Sequence, residues 1–455
     1  MDQLNAVLAD AVGYVWGLPL VVTVISAGIV FSILLKGVQF RAFRHAIDVV
    51  LGKYSDRHDP GQLSHFQALC TALSATLGLG NISGVAVAIH IGGPGAMFWM
   101  MVAGVIGMTT KFVECTLALK YRKIDKKGVV QGGPMYYIEQ GLGKKWKPMA
   151  MFFAVTCILG TYGSANMFQT NQVAAILKQS FDIPPWVTGL ALAVMVALVI
   201  IGGIKRIALV AEFLVPFMTA AYTLGALLVA CLYYDRIPQM FIDVFTGAFS
   251  GTAAIGGFAG AGLRLAMVQG VRRAVFSNEA GLGSAPIAHA TATTQEPVRE
   301  GVVSLLEPFV DTVVVCSMTA LVILLTGVWT QDLTGVELTA RAFDTAIPGF
   351  GKYFVPVAVF LFGYATVVSW SYYGERATVY LWGEKGILPY KVIHCTLAFL
   401  GALWAIEPVL NFSDIMLGLM VVPNMIAMVL LFPEVKADSE IYFKKLHAGK
   451  FKVKT

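Results

Sequence analysis

Long apolar runs separated by short polar loops dominate the pattern of hydrophobic and polar positions along the chain. A helix needs about 20 residues to cross the ~30 Å hydrocarbon core of a bilayer, and eleven of these runs approach or exceed that length. They lie near residues 17–36, 66–91, 95–120, 148–177, 185–203, 207–233, 244–269, 301–327, 352–382, 390–407 and 411–432. The pattern therefore predicts an all-α polytopic membrane protein with eleven transmembrane helices.

Composition supports the membrane class, and the charge distribution orients the chain. Hydrophobic residues make up 57% of the 455 positions and charged residues 13%, whereas a soluble domain carries about 25% charged residues. Of the 33 Lys and Arg residues, 27 lie in or beside segments 37–65, 121–147, 204–206, 270–300, 383–389 and 433–455. Because cytoplasmic loops carry the excess of Lys and Arg, we expect a cell-membrane protein with its N-terminus outside and its C-terminus in the cytoplasm.

The sequence gives little support to other classes of protein. The net charge of +6 follows the loops, so it does not indicate nucleic-acid binding. The chain contains no P-loop, no HExxH zinc motif and no CxxC pair. We therefore expect no enzyme activity, no organic cofactor and no obligatory protein partner. The expected partner of the helices is the lipid bilayer around them.

Two of the runs contain glycine patterns that an ordinary lipid-facing helix does not need. The second run reads SATLGLGN over 74–81, and the seventh reads AIGGFAGAG over 254–262. Such glycines serve either close helix packing or local unwinding, and unwound backbone at membrane depth is tolerated only where it lines a cavity. The helix ends exposed there attract a carboxylate or a cation. Both interpretations stay open at each site.

The order of the runs indicates an internal repeat. When the first run is set aside, the other ten divide into two sets of five, and a glycine-rich run opens each set. Because five is odd, the second set enters the membrane with the opposite orientation, as in transporters built from inverted repeats. The predicted organisation is 1–65 with the extra helix, 66–235 and 236–432 as the two repeats, and 433–455 as a basic cytoplasmic tail.

Polar residues inside the runs are candidates for function, because a charged side chain at membrane depth is costly. The candidates for gating or for a second cation site are Asn81, Glu114, Glu307 and Asp311. Solvation near a helix end and a structural role are the alternatives. Arg264 and Arg272 are candidate ion-pair partners for these acids.

Hydroxyl groups in the ninth run suggest a cation site. Thr366 and Ser369 are spaced i, i+3, so their hydroxyls face one direction. Uncharged oxygen ligands suit a hard monovalent cation, although each hydroxyl could instead bond to its own helix. Trp370 follows them and could line a ligand pocket or lie at the membrane interface. Gln169 belongs to a polar cluster in the fourth run.

Three motifs carry a resemblance to a known family. They are GGPGAMFWMMVAGVIGMTTK at 92–111, QGGPMYY at 131–137 and FSNEAGLGSAPIAHA at 276–290. Together they resemble the alanine or glycine:cation symporter family, with Met101 at a position where that family usually has Trp. The resemblance implies a LeuT-type core of ten helices preceded by one extra helix. It also implies Na⁺-coupled, in some members H⁺-coupled, symport of alanine or glycine.

The resemblance also assigns residues to the expected binding sites. The implied substrate site combines Thr76, Gly78 and Gly80 with Gly256, Gly257 and Phe258, and the polar pattern adds Gln169 and Trp370 as candidate substrate-binding residues. The implied sodium site combines Ser74, Leu77, Thr366 and Ser369. The predicted function is therefore Na⁺-coupled symport of small neutral amino acids into the cell by alternating access. A small neutral amino acid, as substrate, is then the second expected partner besides the bilayer. An H⁺-coupled symporter is the alternative, and an ion channel fits less well because it would need a symmetric ring or filter.

Overall fold

A computed structural model describes residues 2–56, 58–249, 259–404, 406–451 and 453. In chain order the α-helices are α1 (Asp2–Val15), α2 (Leu18–Leu34), α3 (Val38–Arg41), α4 (Phe43–Val50), α5 (His65–Thr76), α6 (Val85–Gly92), α7 (Gly95–Lys120), α8 (Pro134–Gly141), α9 (Lys147–Tyr162), α10 (Phe168–Phe181), α11 (Pro185–Ile200), α12 (Gly203–Leu232), α13 (Ile237–Phe249), α14 (Ala259–Asn278), α15 (Ala285–His289), α16 (Pro297–Ser304), α17 (Leu306–Pro308), α18 (Ser317–Thr326), α19 (Gly335–Ala346), α20 (Phe350–Trp382), α21 (Ile387–Gly401) and α22 (Ile406–His447). Three π-helical segments adjoin these helices: Gly80–Gly84, Gly163–Met167 and Phe309–Cys316. The short strands β1 (Lys123–Ile124) and β2 (Val130–Gln131) pair antiparallel.

Several of these helices can cross a membrane. In the described part of the chain seven helical stretches are long and apolar enough: Ala6–Leu34, Gly95–Lys120, Lys144–Phe181, Gly203–Leu232, Pro297–Thr326, Phe350–Trp382 and Glu407–His447. An eighth exists if His65–Thr76 and Gly80–Gly92, which meet at a 52° bend, form one broken span. The predicted class, a polytopic helical membrane protein, is confirmed. The predicted number of eleven spans is not.

The difference in number has local causes. The fifth predicted run forms α11, whose 16 residues reach only about 24 Å. The tenth forms α21, which has 15 residues. The seventh run, 244–269, includes residues outside the described part. The length of an apolar run shows which residues avoid water. The length of a helix depends instead on where its backbone hydrogen bonds begin and end, so a helix can be shorter than its apolar run.

Small residues let the helices around the centre approach one another closely. The ideal Cβ of an alanine at Gly270 in α14 would lie 2.5 Å from the Ala96 carbonyl oxygen of α7. A Cβ at Gly301 in α16 would lie 2.1 Å from Thr116 Oγ1, also in α7. Glycines at such crossings allow backbones to pack without a lipid-filled gap. Helix α7 is thereby enclosed by α14 and α16.

A second break in a helix lies between α14 and α15. The backbone leaves the helix after Asn278 and takes positive φ at Glu279 (58°), Gly281 (87°) and Gly283 (83°). Two glycines allow this path without strain, but Glu279 pays for a left-handed conformation with about 1–3 kcal/mol. The described part of the glycine-rich run, from residue 259, is helical. Residues 254–258, where the sequence predicted unwinding, lie outside the described residues.

Candidate functional site

A small cavity lies where the two helix breaks face each other. Only about 10 Å³ of it is accessible to water, so the residues around it are closely packed. Its lining residues are Ala75, Thr76, Gly78, Gly80, Ser164, Ala165, Gln169, Phe276, Glu279, Thr366 and Trp370. Six of the residues predicted for the substrate and sodium sites are among them. Gly256, Gly257 and Phe258, predicted for the opposite wall, lie outside the described residues.

One wall of the cavity is the break that ends α5. Leu77 departs from helical geometry with ψ of 81°, so the following amides lose their partners within the helix. Side chains replace those partners: the Gly78 amide donates to Asn81 Oδ1 at 2.9 Å, and the Leu79 amide donates to Gln169 Oε1 at 3.1 Å. The unwinding predicted from LGLG is therefore present, with its polar groups satisfied by protein.

The opposite wall contains a carboxylate that the sequence analysis did not select. Glu279 is only 2% exposed and lines the cavity at the second break. Trp370 Nε1 donates to its Oε1 at 2.7 Å, and the Ser284 hydroxyl donates to its Oε2. The available signal was the acid within FSNEAGLGSAPIAHA, followed by two glycines that permit a break. Trp370 is thus a cavity wall that also holds Glu279 in place.

The residues predicted for sodium lie beside the first break. Thr366 Oγ1 donates to the Phe362 carbonyl oxygen at 3.0 Å. A Cβ built on Gly78 would lie 2.5 Å from the same Thr366 oxygen, so the hydroxyl faces the unwound backbone. Its hydrogen points to its own helix, which leaves its lone pairs available for a cation.

The other three predicted sodium residues do not line the cavity itself. Ser74 Oγ donates to the Ala365 carbonyl oxygen at 3.1 Å, which joins α5 to α20 next to Thr366. The Ser369 hydroxyl is buried and has no hydrogen-bond partner within the described residues. Leu77 is fully buried at the break. An oxygen ligand set of hydroxyls and backbone is chemically suited to Na⁺.

Asn81 and Asp311, predicted for gating or a second cation, form a hydrogen-bonded pair. Asn81 Nδ2 donates to Asp311 Oδ1 at 2.7 Å. The same Asp311 oxygen accepts from Ser277 Oγ at 3.0 Å, and Oδ2 accepts from Thr312 Oγ1 at 2.7 Å. Asp311 thereby ties the first break to α14 and to the π-helical segment Phe309–Cys316. Its role as a cation ligand stays a prediction.

Glu114 and Glu307 flank a lysine away from the cavity. Lys111 Nζ lies 3.1 Å from Glu307 Oε1 and 3.8 Å from Glu114 Oε1, and all three side chains are fully buried. Asn424 Nδ2 donates to Glu114 Oε2 at 2.9 Å. Lys111, the two carboxylates and Asn424 form a buried network that joins α7, α17 and α22. Removing one charged member would be costly, because its partner would be left as an unpaired buried charge.

This network continues to the start of α5. His289 Nε2 lies 3.3 Å from Glu307 Oε2, and its Nδ1 lies 2.6 Å from Glu300 Oε1. The second Glu300 oxygen contacts His65 Nδ1. A continuous chain of buried ionisable groups therefore joins the first residue of α5 to the interior of α7.

Arg272 has a different partner from the one expected. Both Arg272 and Arg273 of α14 contact Asp414 Oδ2 of α22, the latter at 3.3 Å. The expected partners contact other residues: Glu307 contacts Lys111, and Asp311 accepts from Asn81. No local pattern in the sequence indicates the pair of Arg272 and Asp414, because its members are 142 residues apart.

Comparison with known proteins identifies the family. The model of the sodium:alanine symporter family matches residues 1–455. The chain belongs to that family. It is 42% identical to the sodium/alanine symporter AgcS of Methanococcus maripaludis, over 94% of this chain and 96% of that protein. It is 40% identical to an uncharacterized transporter of Haemophilus influenzae, over 97% of each chain. The family consists of transporters, not enzymes.

A solved structure supports the fold of this family member. The chain resembles the crystal structure of MhsT in complex with L-phenylalanine, with a TM-score of 0.59 over 84% of this chain and 92% of that chain. Sequence identity is 14%, so the likeness concerns the fold alone. The predicted LeuT-type fold is confirmed, and the cavity lies between two broken helices of that fold.

Proposed function

We propose that this transporter is a Na⁺-coupled symporter that carries alanine and glycine into the cell by alternating access. The observation that carries the proposal is the pair of opposite poles in the cavity. Unwound backbone near Gly78 and Gly80 forms one wall, and the Glu279 carboxylate forms the other. An amino acid zwitterion has a matching negative and positive end.

Each end of the substrate has a partner. The substrate carboxylate is placed at the first break, where it would replace Gln169 Oε1 as the acceptor of the Leu79 amide, since backbone N–H groups of a broken helix bind anions. The ammonium group is placed at Glu279, whose two oxygens keep lone pairs after accepting from Trp370 and Ser284. Na⁺ is placed beside Thr366, Ser369, Ser74 and the Leu77 backbone.

Purified protein in liposomes tests the proposal. Labelled alanine should accumulate above its outside concentration when an inward Na⁺ gradient is imposed, and accumulation should stop when an ionophore collapses that gradient. Equilibration without accumulation would indicate a channel or a facilitator instead. The N-terminus is proposed to face outward because most Lys and Arg lie in the opposite loops; a C-terminal tag reachable from outside intact cells would contradict this.

Replacing Thr366 by valine should weaken sodium dependence. Thr366→Val keeps the side-chain shape but removes the oxygen that faces Gly78, so the Na⁺ concentration for half-maximal uptake should rise about tenfold. Thr396→Val is the matched control, because Thr396 makes the same bond to its own helix at an exposed position of α21. Equal Na⁺ dependence of the two variants would remove Thr366 from the sodium site.

The close packing of the residues around the cavity predicts substrate selectivity. Alanine and glycine should compete with each other for uptake, whereas leucine and phenylalanine should not compete. Extra methylenes in a close-packed site cost about 1–3 kcal/mol, which is roughly 5- to 150-fold in affinity. Trp370→Ala should enlarge the cavity and admit leucine. Leucine binding as tightly as alanine to the unaltered protein would refute the small-substrate assignment.

Proton coupling is the second candidate, and a specific observation favours it. Three buried carboxylates in the Lys111 network face one lysine and two histidines, so the network is neutral when both histidines are cations, or when a protonated carboxylate takes the place of a cationic histidine. A buried cluster disfavours net charge, and proton binding there would change with conformation. Uptake driven by a pH gradient in sodium-free liposomes, and lost in His289→Gln, would support H⁺ in place of Na⁺.

A further inference from the structure

A basic groove lies between the end of α2 and the final part of α22. It has a volume of about 380 Å³ and is lined by four cationic side chains, Lys36, Arg41, Lys436 and Lys444, together with a single carboxylate, Glu440. Positions 436, 440 and 444 are four residues apart, so they project from one face of α22. The groove therefore brings four positive charges and one negative charge together, which leaves it with a net positive charge.

The cations of this groove differ from neighbouring ones in their lack of acidic partners. On the same part of α22, Lys445 pairs with Glu296 at 2.9 Å. Lys120 pairs with Asp438 at 2.7 Å. Within the described residues, none of the four groove cations has a carboxylate oxygen within 4.0 Å of its side-chain nitrogen atoms. Positive charge that the protein leaves uncompensated is available to an anion from outside.

The groove lies at the depth of lipid headgroups. The apolar span of α2 ends at Leu34, and the groove begins with Leu34 and continues to Lys36. Just inside it, Phe31 stacks on Phe432 with ring centroids 4.7 Å apart, which seals α2 against α22. Ile33 is 69% exposed and Phe40 is 70% exposed, so apolar surface borders the cations.

The local backbone and an aromatic contact fix the cations in position. Lys36 has a φ of 55°, which is unusual for a residue with a side chain, and its helix ends there through a bond from the Gly37 amide to the Ser32 carbonyl oxygen at 2.8 Å. The Arg41 guanidinium lies 4.4 Å above the Phe443 ring. A cation–π contact of this kind orients the guanidinium while its charge stays available.

We propose that this groove binds the headgroup of an anionic glycerophospholipid. The phosphodiester is held by Lys36, Arg41, Lys436 and Lys444, and the acyl chains lie against Leu34 and the exposed Ile33. A basic pocket beside a membrane helix is the arrangement that recognises such headgroups. Apolar surface at the rim favours a lipid over a free phosphate, because a soluble anion would leave it in contact with water.

Native mass spectrometry of the detergent-purified full chain tests this proposal. Phosphatidylglycerol and phosphatidylcholine with identical acyl chains are titrated, and the dissociation constant of the first bound lipid is measured. Phosphatidylglycerol should bind more tightly, and Lys436→Gln/Lys444→Gln should weaken it about 30-fold, since each basic side chain near an anionic headgroup contributes about fivefold. Phosphatidylcholine binding should not change.

A matched variant and a soluble anion complete the test. Lys144→Gln/Lys145→Gln removes the same charge from a different loop and should leave phosphatidylglycerol binding unchanged. A similar loss in both double variants would overturn the proposal in favour of overall charge. Equal binding of the two lipids, or binding of glycerol 3-phosphate as tight as that of phosphatidylglycerol, would also overturn it. Equal melting temperatures of the two variants in neutral detergent exclude misfolding as the cause.

Discussion

Glu279→Gln should lower the affinity of the transporter for alanine by more than 100-fold and abolish measurable uptake. The carboxylate is 2% exposed at the cavity wall, where water cannot screen or replace it. Removing one member of a buried ion pair costs about 3–5 kcal/mol, because the remaining charge is left without a partner. The substrate ammonium would be that remaining charge. Binding is measured by scintillation proximity with labelled alanine in saturating NaCl.

Two comparisons separate this role from damage to the fold. Glu212→Gln changes a half-buried acid in α12 that does not line the cavity, and it should bind alanine normally. Ser284→Ala removes one donor to Glu279 and should weaken alanine only a few-fold. Normal alanine affinity in a well-folded Glu279→Gln protein would contradict the assignment of the ammonium site, while Na⁺-driven uptake by that variant would leave the symporter proposal intact.

Gly78→Ala should produce the second large effect, a loss of uptake of about 10- to 100-fold. The new Cβ would lie 2.5 Å from Thr366 Oγ1 and 3.3 Å from Gln169 Oε1, so it would push apart the two side chains placed at the sodium and carboxylate sites. Inserting a methyl group into a packed site costs about 1–3 kcal/mol. Initial rates of alanine uptake, normalised to the amount of protein in the membrane, measure the effect.

A neighbouring glycine provides the control. Gly84→Ala lies on the same broken helix, but its nearest contact would be Arg273 Cδ at 3.9 Å, which is ordinary van der Waals distance. Uptake by Gly84→Ala should therefore stay near that of the unaltered protein. If both alanine variants lose uptake equally, the cause is helix flexibility and not the contact between Gly78 and Thr366.

Local sequence patterns could predict the first half of the site. The LGLG run marks the break after α5 because two glycines in four residues weaken helical hydrogen bonding at any depth in the membrane. The same reasoning predicted a break in the glycine-rich run at 254–262, of which residues 254–258 lie outside the described part of the chain. The second break within the described residues begins at Glu279, where fewer glycines occur but Gly281 and Gly283 take positive φ.

By itself, the sequence determined the membrane class, the family and the first broken helix. Each of these depends on composition or on residues that are neighbours along the chain. Only the tertiary structure decided that Glu279 meets Trp370 across the cavity, that Arg272 pairs with Asp414, and which apolar runs are complete helices. These partners are 91 and 142 residues apart. Which distant groups meet depends on how whole helices pack, and no local periodicity encodes that packing.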